Sequence, residues 1–510
     1  MRTKTRNWRT TLALCACCFA MLAAAPAWAA SGLSDAEITD AVVEELFQDD
    51  AVAGYWVDVM AEDGVVTLEG TANNLLAKER AARIVRTIRG VRSVVNRIEV
   101  EAPMRTDDEI REDVNHALLF DRATESYEVD VAVDDQQVTL TGDVQSWQEK
   151  QLAGRVVKGV RGVKGLTNDI RIDHQTDRPD HEIRAEIEKA LDWNVLVDDA
   201  LIDVSVRDGE VTLTGTVGSA SEKTEAKIDA WVAVVRDVEA DRLKVARWAR
   251  DEDLREGKYV ARDDAEINKA IRRALRYDPR VDVDDVKVKV EDGVVTLNGK
   301  TDHVMAKRSA AQDARNTVGV WRVKNLIRVR ASSPSDATIE NRIERALARD
   351  PYVESYELTV RVENGEATLL GAVDSFFEKA RADNIAAATY GVVDVDNNVR
   401  VDDPDEYVAY DPYIDGYVYI YDYDWHDYPD LTTTETDWEI REDIQDEMWW
   451  SPFVDEDEVT VTVDGGVATL TGTVDTWSER RAATENAYEG GAILVDNDLM
   501  VDYGPDYYND

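Results

Sequence analysis

The feature that most constrains this chain is an internal repeat with a period of about seventy residues. The string from Gly64 to Gly70 reads GVVTLEG, and the string from Gly293 to Gly299 reads GVVTLNG. Related strings end at Gly142, Gly215, Gly371 and Gly472, so successive terminal glycines lie 72, 73, 84, 72 and 101 residues apart. Six copies of one unit account for most of the 510 residues, with insertions before the fourth and sixth. A unit of this size can hold its own core, unlike the shorter unit of a solenoid, which needs its neighbours.

Each copy opens with an amphipathic helix whose apolar anchors fall at i, i+4 and i+8. They are Ile38, Val42, Leu46; Ile110, Val114, Leu118; Ile183, Ile187, Leu191; Ile267, Ile271, Leu275; Ile339, Ile343, Leu347; and Ile440, Ile444, Met448. That spacing makes one apolar stripe and leaves the charged residues between in water. Two strands with period-two alternation follow. Their turns are Asp63-Gly64, Asp208-Gly209, Asp292-Gly293, Asn364-Gly365 and Gly465-Gly466. Such pairs favour the positive φ of a tight hairpin turn. Copy two carries Asp135-Gln136 instead, which predicts a looser turn or another type.

A second helix follows the hairpin's last glycine (Gly70, Gly142, Gly215, Gly299, Gly371 or Gly472). Capping boxes mark its start at Ser146 and Glu149, Ser219 and Glu222, Ser375 and Glu378, and Thr476 and Glu479. Asn74 and His303 hold the cap position in copies one and four. The glycines Gly90, Gly162, Gly319, Gly391 and Gly491 supply a left-handed residue past its end. Copy three has Val234 or Val235 there, which predicts a different closure. A last strand carries Asn96, Asn168, Asp241, Asn325, Asn397 or Asn497. The expected turn and cap glycines are thus Gly64, Gly209, Gly293, Gly365 and Gly466, with the hairpin-end and helix-end sets.

The fold class is α+β. Each copy runs helix, strand, strand, helix, strand, with a three-stranded mixed sheet and two helices packed on one face. The expected domains span residues 34–102, 107–173, 180–246, 263–331, 335–402 and 436–503. A charged linker covers 247–262, and a Tyr/Asp-rich linker covers 403–434.

The helix, the Gly-x-Val-Thr-Leu-x-Gly hairpin and the Gly-Val-x-x-Val-x-Asn ending together resemble BON domains. That module belongs to osmotically inducible periplasmic proteins and nodulation-related envelope proteins. The resemblance implies a periplasmic location, attachment to phospholipid membranes, and roles in osmotic stress tolerance and envelope integrity. It brings no catalytic motif.

The first 29 residues read as a cleaved signal peptide. Arg2, Lys4, Arg6 and Arg9 precede an apolar run over 12–25, and Ala27-Trp28-Ala29 offers a small-residue cleavage site. All three cysteines, Cys15, Cys17 and Cys18, lie inside it, so the mature chain has no disulfide. Leu14-Cys15-Ala16-Cys17 leaves a lipid anchor at Cys17 as the alternative.

The whole chain has 59 Lys+Arg against 105 Asp+Glu, a net charge of −46, and removing four N-terminal cations takes it to −50. That field argues against nucleic acid as the main partner, and equally against a polybasic patch on anionic lipid. Hydrophobic residues at 44% still allow each copy a core, which excludes a disordered acidic tail.

No sequence pattern predicts an enzyme, a cofactor or a metal site. His116, His174, His181, His303 and His426 show no zinc-ligand spacing, and no Gly-rich phosphate loop or nucleophile elbow is present. Aromatics are the better contact candidates. Trp147, Phe376 and Trp477, with Leu75 and Val304, occupy the first turn of the second helix and suit core or domain contacts. Trp449, Trp450 and Phe453 follow the first helix of copy six, with Trp193, Tyr277 and Tyr352 at comparable places. These six are candidates for lipid or partner contact.

The leading expectation is a non-enzymatic exported envelope protein that binds phospholipid membranes or bridges envelope components, with divalent cations as possible bridges. The alternatives are an acidic periplasmic chaperone-like or spacer protein, or surface adhesion through the Tyr/Asp-rich segment.

Overall fold

A computed structural model describes residues 33–49, 51–52, 57–121, 124, 128–173, 178–250, 258, 262–330, 334–353, 358–401 and 436–501. The 1–29 segment with its cysteines, His174, His426 and the 403–434 linker lie outside the described residues, as does most of the 247–262 linker.

Six first helices, Asp35–Gln48, Asp107–Phe120, Asp180–Trp193, Asp264–Tyr277, Asp336–Arg349 and Asp437–Trp450, are each 14 residues long. Every expected anchor on them is buried. Each copy's hairpin pairs antiparallel, and its last strand runs parallel to the hairpin's second strand, which is therefore central. In copy four the strands are Val286–Glu291, Val294–Thr301 and Arg322–Val329. Alternation sends Val295 and Leu297 into the core and Thr296 outward. Both helices cover the inner face, so each copy is a two-layer module with its own core.

The hairpin turns share one geometry. Asp63 and Gly64 have φ of 50° and 71°, and Asp135 and Gln136 have 47° and 62°. The expected looser turn in copy two is thus corrected. Gln136 tolerates the left-handed region because its buried amide donates to the carbonyls of Pro103 at 2.8 Å and Gly162 at 2.9 Å. The helix-end expectation for copy three is corrected too. Val234 takes φ 71° where the other copies place glycine at 83° to 111°.

A further contact holds helix to hairpin. The first residue of each first helix is Asp, and its carboxylate accepts from the turn amides 28 and 29 residues later. Asp107 accepts from Asp135 at 3.1 Å and from Gln136 at 2.9 Å. Asp35, Asp180, Asp264 and Asp336 accept the same pair, and Asp437 accepts from Gly466 at 2.8 Å.

The hairpin-end glycines are required by close approach. A Cβ on Gly142 would stand 2.0 Å from the carbonyl oxygen of Glu128. The second-helix caps accept as expected, but their carboxylates reach one residue further back. Glu149 accepts from the amide of Gln145 at 2.7 Å, and Glu222 from that of Gly218 at 2.7 Å. Reciprocal boxes occur instead on first helices, at Ser34 with Glu37, Thr106 with Glu109 and Thr436 with Glu439. The last-strand asparagine ties sheet to helix. The Asn325 amide donates to the Lys307 carbonyl at 2.7 Å, and Asn96, Asn168, Asn397 and Asn497 repeat the contact.

Candidate functional site

The six candidate contact aromatics sit near the ends of first helices. A helix end leaves carbonyls without intrahelical partners. Here another copy supplies the donor. The N–H of Arg161 in copy two donates to the Arg349 carbonyl in copy five at 2.7 Å, and Tyr390 of copy five returns a bond to Phe120 of copy two at 3.2 Å. Val318 of copy four donates to Trp193 of copy three at 3.0 Å, and Arg89 of copy one to Trp450 of copy six at 3.2 Å. In each case the donor immediately precedes the left-handed glycine at the end of a second helix. Copies therefore pair one with six, two with five, and three with four.

These seams absorb the aromatics. Trp193 packs against the copy-four core, and Tyr277 against the copy-three core. The Tyr277 hydroxyl donates to Glu186, and burial with that carboxylate pushes its pKa up to about 12. Tyr352 and Trp450 pack on the copy-one core, and the Tyr352 hydroxyl donates to the Ala51 carbonyl at 3.1 Å. The Arg89 guanidinium lies 3.9 Å from the Trp449 ring centroid and forms an ion pair with Glu456 at 3.0 Å. Phe453 packs on the core of its own copy. All six are half-buried, so their aromatic faces serve contacts within the chain rather than a free surface. The large apolar side chains that are exposed are others, among them Phe47, Met60, Trp248, Leu326 and Trp438.

The first-turn position of the second helix links neighbouring copies. Leu75 of copy one enters the copy-two core, and Val304 of copy four enters the copy-five core. Trp147 of copy two stacks on Trp231 of copy three, with centroids 5.2 Å apart and planes at 8°. Ala220 of copy three joins the copy-one core, so the first three copies close a ring.

Charges in the seams are largely paired. Asp49 with Arg80 at 2.5 Å and Asp350 with Arg381 at 2.6 Å are buried ion pairs at equivalent places, each carboxylate one residue past a first helix. The seam between copies one and six gathers acids beside its Arg89–Glu456 pair. Burial and the neighbouring Glu489 push the Glu447 carboxyl up to about 8, and burial raises Glu45 well above the usual range.

A cavity of about 380 Å³ lies where copies two, three and four meet, walled by Trp147, Trp231, Tyr277, Arg155 and the Asp278–Arg280 ion pair. His303 caps a helix, its Nδ1 accepting from Ala306 at 3.2 Å, His116 lies beside the Phe120 ring, and His181 is exposed. Among the described residues, no cluster of three or more His, Cys, Asp or Glu is placed to hold a metal ion.

What these observations define is a repeat protein of small α+β modules joined through their helix ends. The chain belongs to the BON domain family: the BON domain profile matches residues 34–102, 106–173, 179–247, 263–331, 335–403 and 436–502. It is 29% identical over 145 residues to osmotically-inducible protein Y of Escherichia coli strain K12, a stretch covering 27% of this chain and 72% of that protein. Among solved structures, it is similar to CdsD, a structural protein of the type III secretion system of Chlamydia trachomatis. The identity is 15% and the TM-score 0.13, covering 46% of this chain and 96% of the other. The C-terminal domain of CdsD gives 16% identity and a TM-score of 0.12, covering 44% and 98%.

Proposed function

We propose that this chain is an exported, non-enzymatic envelope protein whose BON modules bind phospholipid surfaces or bridge envelope components and support envelope integrity under osmotic stress. The observation that carries the reading is the likeness, over 145 residues, to a protein named for its osmotic induction. The cationic and apolar 1–29 segment supports export to the periplasm, with a lipid anchor at Cys17 as the variant form. Among the described residues no helix is long and apolar enough to cross a membrane. The paired copies act as one joint body in this reading, so its outer faces, not the seam aromatics, meet partners.

The test is cell fractionation of the native chain combined with vesicle flotation of the chain lacking residues 1–29, with and without EDTA. Envelope recovery, flotation with phospholipid vesicles and poor growth of a deletion strain at high osmolarity are expected. A cytosolic protein that floats with no vesicle composition overturns the reading.

A further inference from the structure

The six outer sheet faces carry different charges. In copy two the outward residues include Glu128, Asp130, Asp134 and Asp143, with Arg171 the cation paired to Asp143. Copy six turns threonines, Asp464 and Asp496 outward. Copy four is the opposite. Lys287, Lys289, Lys300, Arg322, Lys324 and Arg328 are all exposed on strands whose alternate residues form the core.

The register makes these six an array. Lys289, Thr296 and Lys324 form one row across the sheet, and Lys287, Asn298 and Leu326 form the next. Lys300 stands beside Arg328, and Arg322 shares the remaining row with Glu291. Within the three strands Glu291 is the acid on this face and pairs with Lys289 at 2.6 Å, and at the far edge Asp285 and Asp302 both pair with Arg330, at 2.5 and 2.6 Å. The array is thus strongly cationic within a chain of net charge −46.

We propose that this face docks the protein on the anionic headgroups of a phospholipid bilayer. The proposal rests on the phospholipid reading above and assigns its surface and lipid class. Four physical points favour a bilayer. A sheet face is broad and open, with strands about 4.8 Å apart, so its cations meet a plane better than they enclose a small anion. Each cation near an anionic leaflet contributes about 1 kcal/mol. Acids of the other copies that lie more than a Debye length away, about 8 Å at physiological salt, are screened. Leu326 is 58% exposed between Lys324 and Arg328 on an edge strand of the array, where an apolar side chain can reach below the headgroups while Lys and Arg keep their charges at that level. A protein partner would call for a buried aromatic or arginine anchor at the centre, and this face has none. The global charge therefore does not exclude a polybasic lipid contact, contrary to the expectation from composition, because the cations are segregated on one sheet.

The experiment is co-sedimentation of the chain lacking residues 1–29 with phosphatidylcholine vesicles, with or without phosphatidylglycerol, in EDTA at low and high salt. Binding should require phosphatidylglycerol and fall steeply with salt. The variant Lys287→Gln, Lys289→Gln, Lys324→Gln, Arg328→Gln should lose affinity on the order of a thousandfold, from about 1 kcal/mol per cation. The control pair Arg207→Gln, Arg361→Gln, on the outer faces of copies three and five, should bind as the parent does. A folded quadruple variant that binds as tightly as the parent overturns this face while leaving the phospholipid reading in place. Salt-independent binding by the parent does the same without any variant. Equal affinity for duplex DNA at the same salt overturns the lipid assignment. A parent that binds no vesicle of any composition overturns both readings.

Discussion

The main-chain N–H of Arg161 donates to the carbonyl of Arg349 at 2.7 Å, joining the end of a second helix in copy two to the end of a first helix in copy five. The guanidinium of the same Arg161 reaches the carbonyls of Asp350, at 3.0 and 2.8 Å, and of Val353, at 3.1 Å. One residue thus satisfies carbonyls that a helix end leaves open, and does so from another domain. Arg161→Ala keeps the main-chain bond and removes the charge-assisted ones, each worth about 1.5–3 kcal/mol. The expected outcome is a lower melting temperature together with faster proteolysis near residues 349–353, whose carbonyls Arg161 holds. Unchanged protease sensitivity in the variant would show that the seam does not depend on this side chain.

The Asp at the start of each first helix is expected to matter more than its place at a helix terminus suggests. Asp264 holds the amides of Asp292 at 2.9 Å and Gly293 at 3.0 Å. Its charge also favours the helix N-terminus. Asp264→Ala should cost about 2 kcal/mol, since two amides lose a charged acceptor. Hydrogen exchange should rise first at Asp292 and Gly293, while the copy-four core stays protected. Exchange that rises uniformly across the copy would contradict a local clamp.

Val234 sits at φ 71° in a place where five other copies use glycine. A left-handed conformation costs an L-residue about 1–2 kcal/mol, and β-branching adds crowding. Val234→Asn, which tolerates that region, should stabilise copy three by about 1 kcal/mol. The reverse change in copy two, Gly162→Val, should destabilise by about 2 kcal/mol, because a Cβ there already meets Arg105 at 3.0 Å and Ile110 at 3.3 Å. Paired denaturant titrations check both signs.

Much of each module was legible because its signals are local. The i, i+4, i+8 anchors and the turn pairs lie within one element, and the hairpin glycines repeat at a fixed offset. The Asp clamp was also written in the sequence, at a constant spacing of 28 and 29 residues, but it joins a helix start to a turn across an intervening strand. No local pattern points to it. Residue type alone points Gln136 away from a tight left-handed turn, while its side-chain bonds to Pro103 and Gly162 decide the geometry. The seam aromatics were legible as contact residues, but not their partners, since copies pair first with last. The cationic face needed strand register. Lys287 and Lys289 alternate visibly, yet only the parallel pairing of the last strand brings Arg322, Lys324 and Arg328 alongside them.

The seam between copies one and six should be sensitive to pH. Glu447 is held up to about 8, from an ordinary value of 4.5, by burial first and then by Glu489, Glu44 and Asp446. Glu45 is raised by burial and by Glu447, Glu489, Asp49 and Glu44. Arg89, which reaches across this seam, pairs with Glu456 at 3.0 Å. A carboxyl raised on folding binds its proton more tightly in the folded state, so its stabilising effect is fully present below the unfolded value. That stability is lost progressively as pH rises from about 4.5 to about 8, where Glu447 ionises in the folded seam. The melting temperature of the seam should therefore fall over this window. Glu447→Gln keeps a hydrogen-bonding side chain of the same shape without the charge. It should flatten the slope and raise the melting temperature at pH 8, with little change near pH 5. Thermal unfolding measured across that range for parent and variant checks the sign. A parent curve that rises from pH 5 to 8 by the same amount as the variant would mean that the acid cluster has no part in holding copies one and six together.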